Sequence, residues 1–588
     1  MLSRFKASTW RMIASGLLGL ALVSGGAAGI FAQHHASASA TNKSFSLHRI
    51  TGPSSQVRMG EVNLATMPAA TAAQIKAAGA VTNHAPTNRA LKSAAQLAAE
   101  RAYALAHPGA LPKAAGATLR TSGNSYGGGL TPLMTSSHDG ITFTQSGCNC
   151  TPPDQAIAAA PGYVFEGVNN LMIVYNTSYG LKYGPWTPNQ LFAPVIHTGA
   201  FFSDPQITFD AERAVYLITW LEIVGNNDYI DVAVSKTSTP SPLTNFRVYS
   251  LPASVIRGGS DTFCDYETLG YDYWGTYITC VDFAVSNGAF QGNSTIALRT
   301  NGLLGGSITW WIWSDVPTAV SCGTGCADPA YRLSPTIEDG VPQAEWISAT
   351  DAGFLGTSTA SSNLTLCALT NTHALEGSTP PTISCAYTSL GTPYDDPSNA
   401  SQPSNPGTVY PGVGYKQIAY RNGQLYFALP ITINCGGNVF DGIEWNIVDP
   451  QLTVIAGSTP QSVNGLATNF TEAGYWCFSN ADSYMPTMMA DNEGDASLVF
   501  NVSNSAIDPS IAFTGRTAPD APSTIGQGST FYYNWAIIGS NTNTTGRYGD
   551  YSACALTTNL VVRGIMYCAG EYGGTDIWNT WLYSLRLQ

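Results

Sequence analysis

Charge is what this chain has least of. Only 11% of its 588 residues are Asp, Glu, Lys or Arg, against about 25% in ordinary soluble domains. Cations are the scarcer sign: 25 Lys and Arg face 38 Asp and Glu, for a net charge of −13. No cluster of Lys or Arg is present. Phosphate backbones are bound by clustered cations, so no nucleic acid is expected as a partner. A surface poor in carboxylates changes its net charge little on acidification, so tolerance of low pH is expected. Several catalytic signatures are also missing. There is no His-Glu-x-x-His zinc motif and no phosphate loop. His197 and His373 stand alone in the sequence and read as loop residues rather than ligands. No long helical periodicity follows residue 140, and no second apolar run of spanning length follows the first.

That first run lies at the N-terminus. Lys6 and Arg11 precede an apolar, Gly/Ala-rich stretch over 12–31, and Ala36-Ser37-Ala38-Ser39-Ala40 offers small-residue cleavage sites. Residues 1–40 therefore read as a signal peptide, with an uncleaved anchor as the rival reading. Residues 41–135 form an Ala-rich extension. It is of helical composition over 89–106 and is then broken by Pro108, Pro112 and Gly127-Gly128-Gly129. It reads as a spacer or as a propeptide that masks a site.

Twelve cysteines fit an oxidising compartment. Short spacings suggest Cys148 with Cys150, Cys264 with Cys280, Cys322 with Cys326, Cys367 with Cys385, and Cys554 with Cys568. Cys435 and Cys477 then pair by elimination. Thiolate metal sites are the alternative, but no His sits at ligand spacing beside them. A bridge across one residue is strained, so Cys148 and Cys150 are the pair most open to other partners.

From residue 136 to 588 the texture is β. A degenerate unit recurs: a polar or proline-bearing opening, an apolar strand, then a hairpin with a Gly, Asn or Asp turn. The openings are Pro153-Asp154-Gln155-Ala156-Ile157, Ser203-Asp204-Pro205-Gln206-Ile207, Asp265-Tyr266-Glu267-Thr268-Leu269 and Leu333-Ser334-Pro335-Thr336-Ile337. Tyr415-Lys416-Gln417-Ile418, Ser483-Tyr484-Met485-Pro486-Thr487-Met488 and Gly549-Asp550-Tyr551-Ser552-Ala553 follow. Repeats of roughly 50 to 85 residues are what propeller blades produce. The expected fold is an all-β, seven-bladed β-propeller with a partly helical or disordered N-terminal extension. Six or eight blades remain open, because the fourth unit is blurred by loops around 390–410. Residues 141–144 are the expected closing strand of the last blade, which removes an exposed edge.

With these residues in view, the chain resembles a group of secreted bacterial β-propeller proteins, sialidase-like in shape and mostly without an assigned activity. The matching elements are Ser203-Asp204-Pro205, Asp265-Tyr266-Glu267-Thr268-Leu269-Gly270 and Arg547-Tyr548-Gly549-Asp550-Tyr551-Ser552. Met485-Pro486-Thr487 with Phe513-Thr514-Gly515-Arg516 also matches. Glu267 stands where the group has proline, and Tyr548 where it has tryptophan. The resemblance covers about residues 150–588 and implies the fold far more than a reaction.

If the openings share one mouth, Asp154, Asp204, Asp265, Asp550 and Arg547 form a polar ring there, with Tyr266 and Tyr551 nearby. Oxygen ligands from several blades could hold Ca²⁺. The plainer reading is that each Asp caps its own turn. A glycoside hydrolase needs two carboxyl groups, and Glu267 with Asp204 or Asp550 is the candidate pair. Sialidases use a tyrosine nucleophile, for which Tyr551 is the candidate. A sialidase also implies an arginine cluster, drawn here from Arg257, Arg332, Arg516 and Arg547, and repeated Ser-x-Asp-x-Gly-x-Thr-Trp turns. Only a fragment of that turn is present, Gly306-Ser307-Ile308-Thr309-Trp310. In Trp310-Trp311-Ile312-Trp313, strand alternation puts Trp311 opposite its neighbours; core packing is the expected role for most of these rings, with stacking of one face on a sugar as the alternative. The expectation is a secreted or cell-surface monomer, free of the membrane after signal cleavage. It recognises a glycan or an extracellular protein surface, and a glycosidase is the runner-up.

Overall fold

The computed structural model describes residues 46–586, apart from short stretches of which 80–93, 121–131, 352–362 and 390–399 are the longest. The proposed signal segment, the Cys322–Cys326 pair, Arg257, Asp550 and Tyr551 lie outside the described residues.

The fold is dominated by β-strands. Among the described residues, antiparallel runs of three or four strands follow one another along the chain, the last of them completed by the N-terminal strand Leu133–Thr142. Their first strands are Ala156–Ala160, Phe201–Asp210, Phe263–Tyr271, Ser334–Glu338, Ile418–Arg421, Asp482–Ala490 and Ala553–Leu556. Each of the seven openings read from sequence leads into, or lies at the start of, one of them. First strands of consecutive sheets touch, and the seventh touches the first. The third and fourth pair in parallel at Tyr271 and Ile337. The fourth and fifth do so from Thr336 with Ile418 to Glu338 with Tyr420. One cavity of about 20 Å³, little more than the space of a water molecule, is lined by residues from all seven first strands or their openings, among them Ile157, Ile207, Tyr271, Ile337, Gln417, Met489 and Cys554.

Apolar cores fill the spaces between consecutive sheets, including the space between the seventh and the first. A sheet covered on both faces needs apolar residues at every position. That is why Val215–Val224 is buried along almost its whole length, and why Ala156–Ala160 shows no polar alternation. It also settles the role of the tryptophans as core packing, the favoured reading, and removes the sugar-stacking alternative. Trp310, Trp311 and Trp313 are all buried, one on one side of the third sheet and two on the other, so neither face is open to a sugar.

An N-terminal strand joins the last sheet of the chain. Leu133–Thr142 pairs antiparallel with Asn579–Arg586 and becomes the outer strand of the seventh sheet. The expected closing segment 141–144 supplies only its end, because Phe143–Ser146 turns into a short helix. Glu166 of the first sheet fastens the join. Its Oε1 accepts from Ile141 N–H at 3.1 Å and from Thr580 Oγ1 at 2.5 Å, and its Oε2 accepts from Tyr175 at 3.0 Å. The extension has helices at Ala72–Gly79 and Ala94–Ala106. Its strands Arg58–Asn63 and Ser46–Thr51 add a fifth strand to the second and third sheets. Five disulfides join the expected partners among the described residues: Cys148–Cys150, Cys264–Cys280, Cys367–Cys385, Cys435–Cys477 and Cys554–Cys568. They fit an oxidising, extracellular setting. No helix among the described residues is long and apolar enough to cross a membrane.

Candidate functional site

Adjacent first strands that pair in parallel start at the same end of the ring, so their openings gather there. The openings share a backbone device. Asp154, Asp204, Tyr266 and Met485 have φ of 52°, 54°, 52° and 52°, each three residues before a large apolar residue, Ile157, Ile207, Leu269 and Met488. In the second, third and sixth sheets the same place is a bulge, where two residues of the first strand face one of the second. Proline fills the second bulge position at Pro205 and Pro486. Glu267 fills it in the third sheet.

This device brings Asp154, Asp204, Asp265 and Glu267 within electrostatic range of one another. Glu267 is wholly buried. Burial first, then the charges of Asp204, Asp265 and Asp154, hold its carboxyl well above the usual carboxylate range. Asp154 and Asp204 are also buried. Asn169 connects them: its Nδ2 donates to Asp154 Oδ2 at 2.7 Å, and its Oδ1 accepts from Asp204 N–H at 2.8 Å. Ser203 Oγ donates to Asp204 Oδ1 at 2.6 Å. Asp265 accepts from Tyr266 N–H at 3.0 Å. Asp265 and Tyr266 are partly exposed, and the Arg332 guanidinium lies 5.0 Å from the centre of the Tyr266 ring. Asn169 follows the strand Tyr163–Val168 in a tight turn, where sequence alone suggests only turn chemistry. Its bridging role depends on the neighbouring sheet, which no local pattern reveals.

The aspartates at the other end of the first strands do what the plainer reading assigned to all of them. Asp210, Asp272 and Asp491 each accept backbone N–H groups from the hairpin that follows: Arg213, Trp274 with Gly275, and Glu493 with Asp495.

The Arg547-to-Ser552 element sits where the sequence places it, before the first strand of the seventh sheet, and its described residues are anchors. Buried Tyr548 donates to Glu571 O at 2.7 Å and accepts from Asn501 Nδ2 at 2.9 Å. Gly549 N–H donates to the Glu571 carboxylate at 2.7 Å. Ser552 Oγ donates to Met485 O at 2.9 Å and lies 2.6 Å from Thr487 Oγ1. Arg547 is exposed. Of the other arginines named from sequence, two are described in other settings. Arg516 pairs with Glu472 and lies 5.9 Å from the Trp445 ring centre, and Arg332 is with Tyr266.

His197, read as isolated, is engaged. Its N–H and Nδ1 meet Glu222 Oε1 and Oε2 at 2.6 and 2.8 Å, and its ring stacks on Tyr229 with centroids 3.8 Å apart. Among the described residues, no three His, Cys, Asp or Glu side chains come together as a metal-binding group.

No protein-family model matches the chain, and no curated protein matches it. Among solved structures it is similar to a GH43 β-1,3-galactosidase solved with galactodeoxynojirimycin. The identity is 12% over 55% of this chain and 97% of that one, with a TM-score of 0.25. It is similar also to 1,3Gal43A, an exo-β-1,3-galactanase from Clostridium thermocellum, at 9% identity over 78% and 87% of the two chains and a TM-score of 0.26. A third is the endo-1,5-α-L-arabinanase of Thermotoga petrophila RKU-1, at 11% identity over 74% and 98% and a TM-score of 0.23. Scores this low carry no weight for fold or activity, which rest on the chain's own geometry.

Proposed function

We propose that this chain is an exported, monomeric, seven-bladed β-propeller that recognises an extracellular glycan at the end of the ring where the strand openings gather. The closed succession of first strands and the cavity they share support the blade count. The observation that carries the binding site is the convergence of Asp154, Asp204 and Asp265 on buried Glu267, beside partly exposed Tyr266. Carboxylates accept hydrogen bonds from sugar hydroxyls, and a tyrosine ring offers a face for stacking. An extracellular protein surface is the other partner that such a mouth would suit.

A glycoside hydrolase is the second reading, and one observation favours it. Burial and the neighbouring aspartates push the Glu267 carboxyl up, the direction a general acid needs. Its complete burial weighs against that role, because an acid catalyst must touch the leaving oxygen, and a bound glycan would meet the partly exposed Asp265 and Tyr266 instead.

A glycan array and a glycosidase screen of the secreted form separate the two. Tyr266→Ala and Asp265→Asn should weaken glycan binding about tenfold or more while the fold survives. Turnover that Glu267→Gln or Asp550→Ala abolishes in a folded protein would establish the enzyme instead. An absence of both binding and turnover across neutral, cationic and anionic glycans would remove the proposal.

A further inference from the structure

The far end of the ring holds a second group of acids that the proposed site does not use. Asp272 follows the first strand of the third sheet. Glu338 ends the first strand of the fourth, and Glu345 lies in the fourth sheet's second strand, Ala344–Asp351. All three are wholly buried. The ladder between the fourth sheet's first two strands covers only Ser334 with Ser348 and Pro335 with Ile347. Beyond it, carboxyl groups take the place of backbone acceptors. Thr336 N–H donates to Glu345 Oε1 at 2.8 Å, and Trp346 N–H to Glu338 Oε1 at 3.4 Å.

The decisive contact is at Thr336 Oγ1, which lies 2.6 Å from Glu338 Oε1 and 3.1 Å from Glu345 Oε1. A hydroxyl has one proton to donate. It serves one carboxylate, so the second contact is a hydrogen bond only if that carboxyl brings its own proton. Glu338 Oε2 and Glu345 Oε2 are buried with no hydrogen-bond donor. An ionised carboxylate stripped of water and donors costs several kcal/mol.

We propose that Glu338 and Glu345 form a proton-holding carboxyl pair, bridged by Thr336, that completes the first hairpin of the fourth sheet, so that the fold tightens in acid and loosens as the pH rises. The surrounding groups agree. Asp272 faces the pair from the third sheet, with its Oδ1 occupied by Tyr277 OH at 2.9 Å and by the Trp274 and Gly275 N–H groups. Tyr420 and Arg421 face it from the fifth sheet. Arg421 attracts Glu338, but its Nη1 donates to the carbonyls of Ile337 and Tyr420 at 2.8 and 2.7 Å. Arg213 of the second sheet reaches only the Asp272 carbonyl, at 3.5 Å. Burial, then the Asp272 charge, pushes the Glu338 carboxyl up. Burial, then the charges of Glu338 and Asp272, push up that of Glu345. Above about pH 4.3 an unfolded chain releases glutamate protons that the folded chain keeps, so stability falls from there upward.

The test is thermal unfolding of the full secreted chain between about pH 4 and pH 8. The wild-type Tm should fall across that range. Glu345→Gln and Glu338→Gln, whose carboxamides imitate the protonated group, should show a smaller fall. Thr336→Val keeps both acids and removes the bridge, and serves if the Gln variants do not fold. It should lower Tm more at the acidic end than at the basic end. Three results would overturn the proposal. One is a wild-type Tm that is flat or rises with pH. Another is the wild-type fall retained in every variant. The third is Ca²⁺ or Mg²⁺ restoring the acid Tm at pH 8, which would make the group a cation site.

Discussion

The side chain of Gln417 spans the axis of the strand ring to reach Cys554. Its Nε2 donates to the Cys554 carbonyl at 2.7 Å, and its Oε1 accepts the Cys554 N–H at 3.0 Å. Gln417 opens the fifth sheet's first strand and Cys554 lies in the seventh's, so the amide bypasses the sixth sheet altogether. Both residues line the small axial cavity. The axis is therefore closed by packing and hydrogen bonds.

Gln417→Ala should cost about 2 kcal/mol in urea unfolding, because it leaves a backbone donor and acceptor of the inner strand without their partner. Gln417→Glu should cost at least as much at neutral pH. It keeps the acceptor for Cys554 N–H but sets a carboxylate against the Cys554 carbonyl. If Gln417→Ala unfolds like the wild type, the bridge contributes nothing to stability.

Loop lengths rank the disulfides of the sheets. Cys435–Cys477 closes a separation of 42 residues, whereas Cys554–Cys568 closes 14. Chain entropy then assigns about 4 kcal/mol to the first and about 3 kcal/mol to the second. Paired Cys→Ser replacement of each, compared by chemical denaturation, should give that order. The reverse order would mean that packing around the bridges, and not loop closure, decides.

Glu166 gives a third expectation. It takes three donors from the first and seventh sheets and the closing strand, and burial pushes its carboxyl up. Glu166→Ala leaves those donors buried without an acceptor and should cost about 3 kcal/mol. Limited proteolysis should then cut in or beside Leu133–Thr142 before any other strand. Glu166→Gln keeps the acceptor for Ile141 and Thr580 and should be far milder. Equal effects of the two changes would sink the clip.

How much of this was legible in advance depends on whether a feature repeats. The bulge at the openings recurs in three sheets, and Pro205 and Pro486 mark its second position in two of them, whereas Met485 gives no local sign of the positive φ that Asp204 tolerates. The hairpin aspartates recur too. What could not be read are single, non-local events. Thr336 with Glu338 and Glu345, His197 with Glu222, and Asn169 with Asp204 each join residues whose proximity is decided by packing. The Trp310-to-Trp313 run shows a subtler limit. Alternation correctly puts neighbours on opposite faces, but it does not say that both faces are covered. The extension shows another: Ala-rich composition announces the helix, while the pairing of Arg58–Asn63 with Asn245–Pro252 comes from an edge supplied elsewhere in the chain.

Asn169 allows the acidic character of the openings to be tested through pH. Its amide donates to Asp154 and to the Pro152 carbonyl at 2.9 Å, and accepts from Asp204 N–H. Asn169→Ala removes all three contacts and should cost about 2 to 3 kcal/mol at any pH. Asn169→Asp keeps the acceptor for Asp204 but turns the donor that faced Asp154 into a second carboxylate oxygen. Two carboxylates sharing a buried site cannot both ionise cheaply, so one must hold a proton. Asn169→Asp should thus be close to wild type near pH 4 and lose stability steeply toward pH 8, crossing below Asn169→Ala on the way. Parallel curves for the two variants would show that the amide does not donate to Asp154, and would detach Asp154 from the cluster around Glu267.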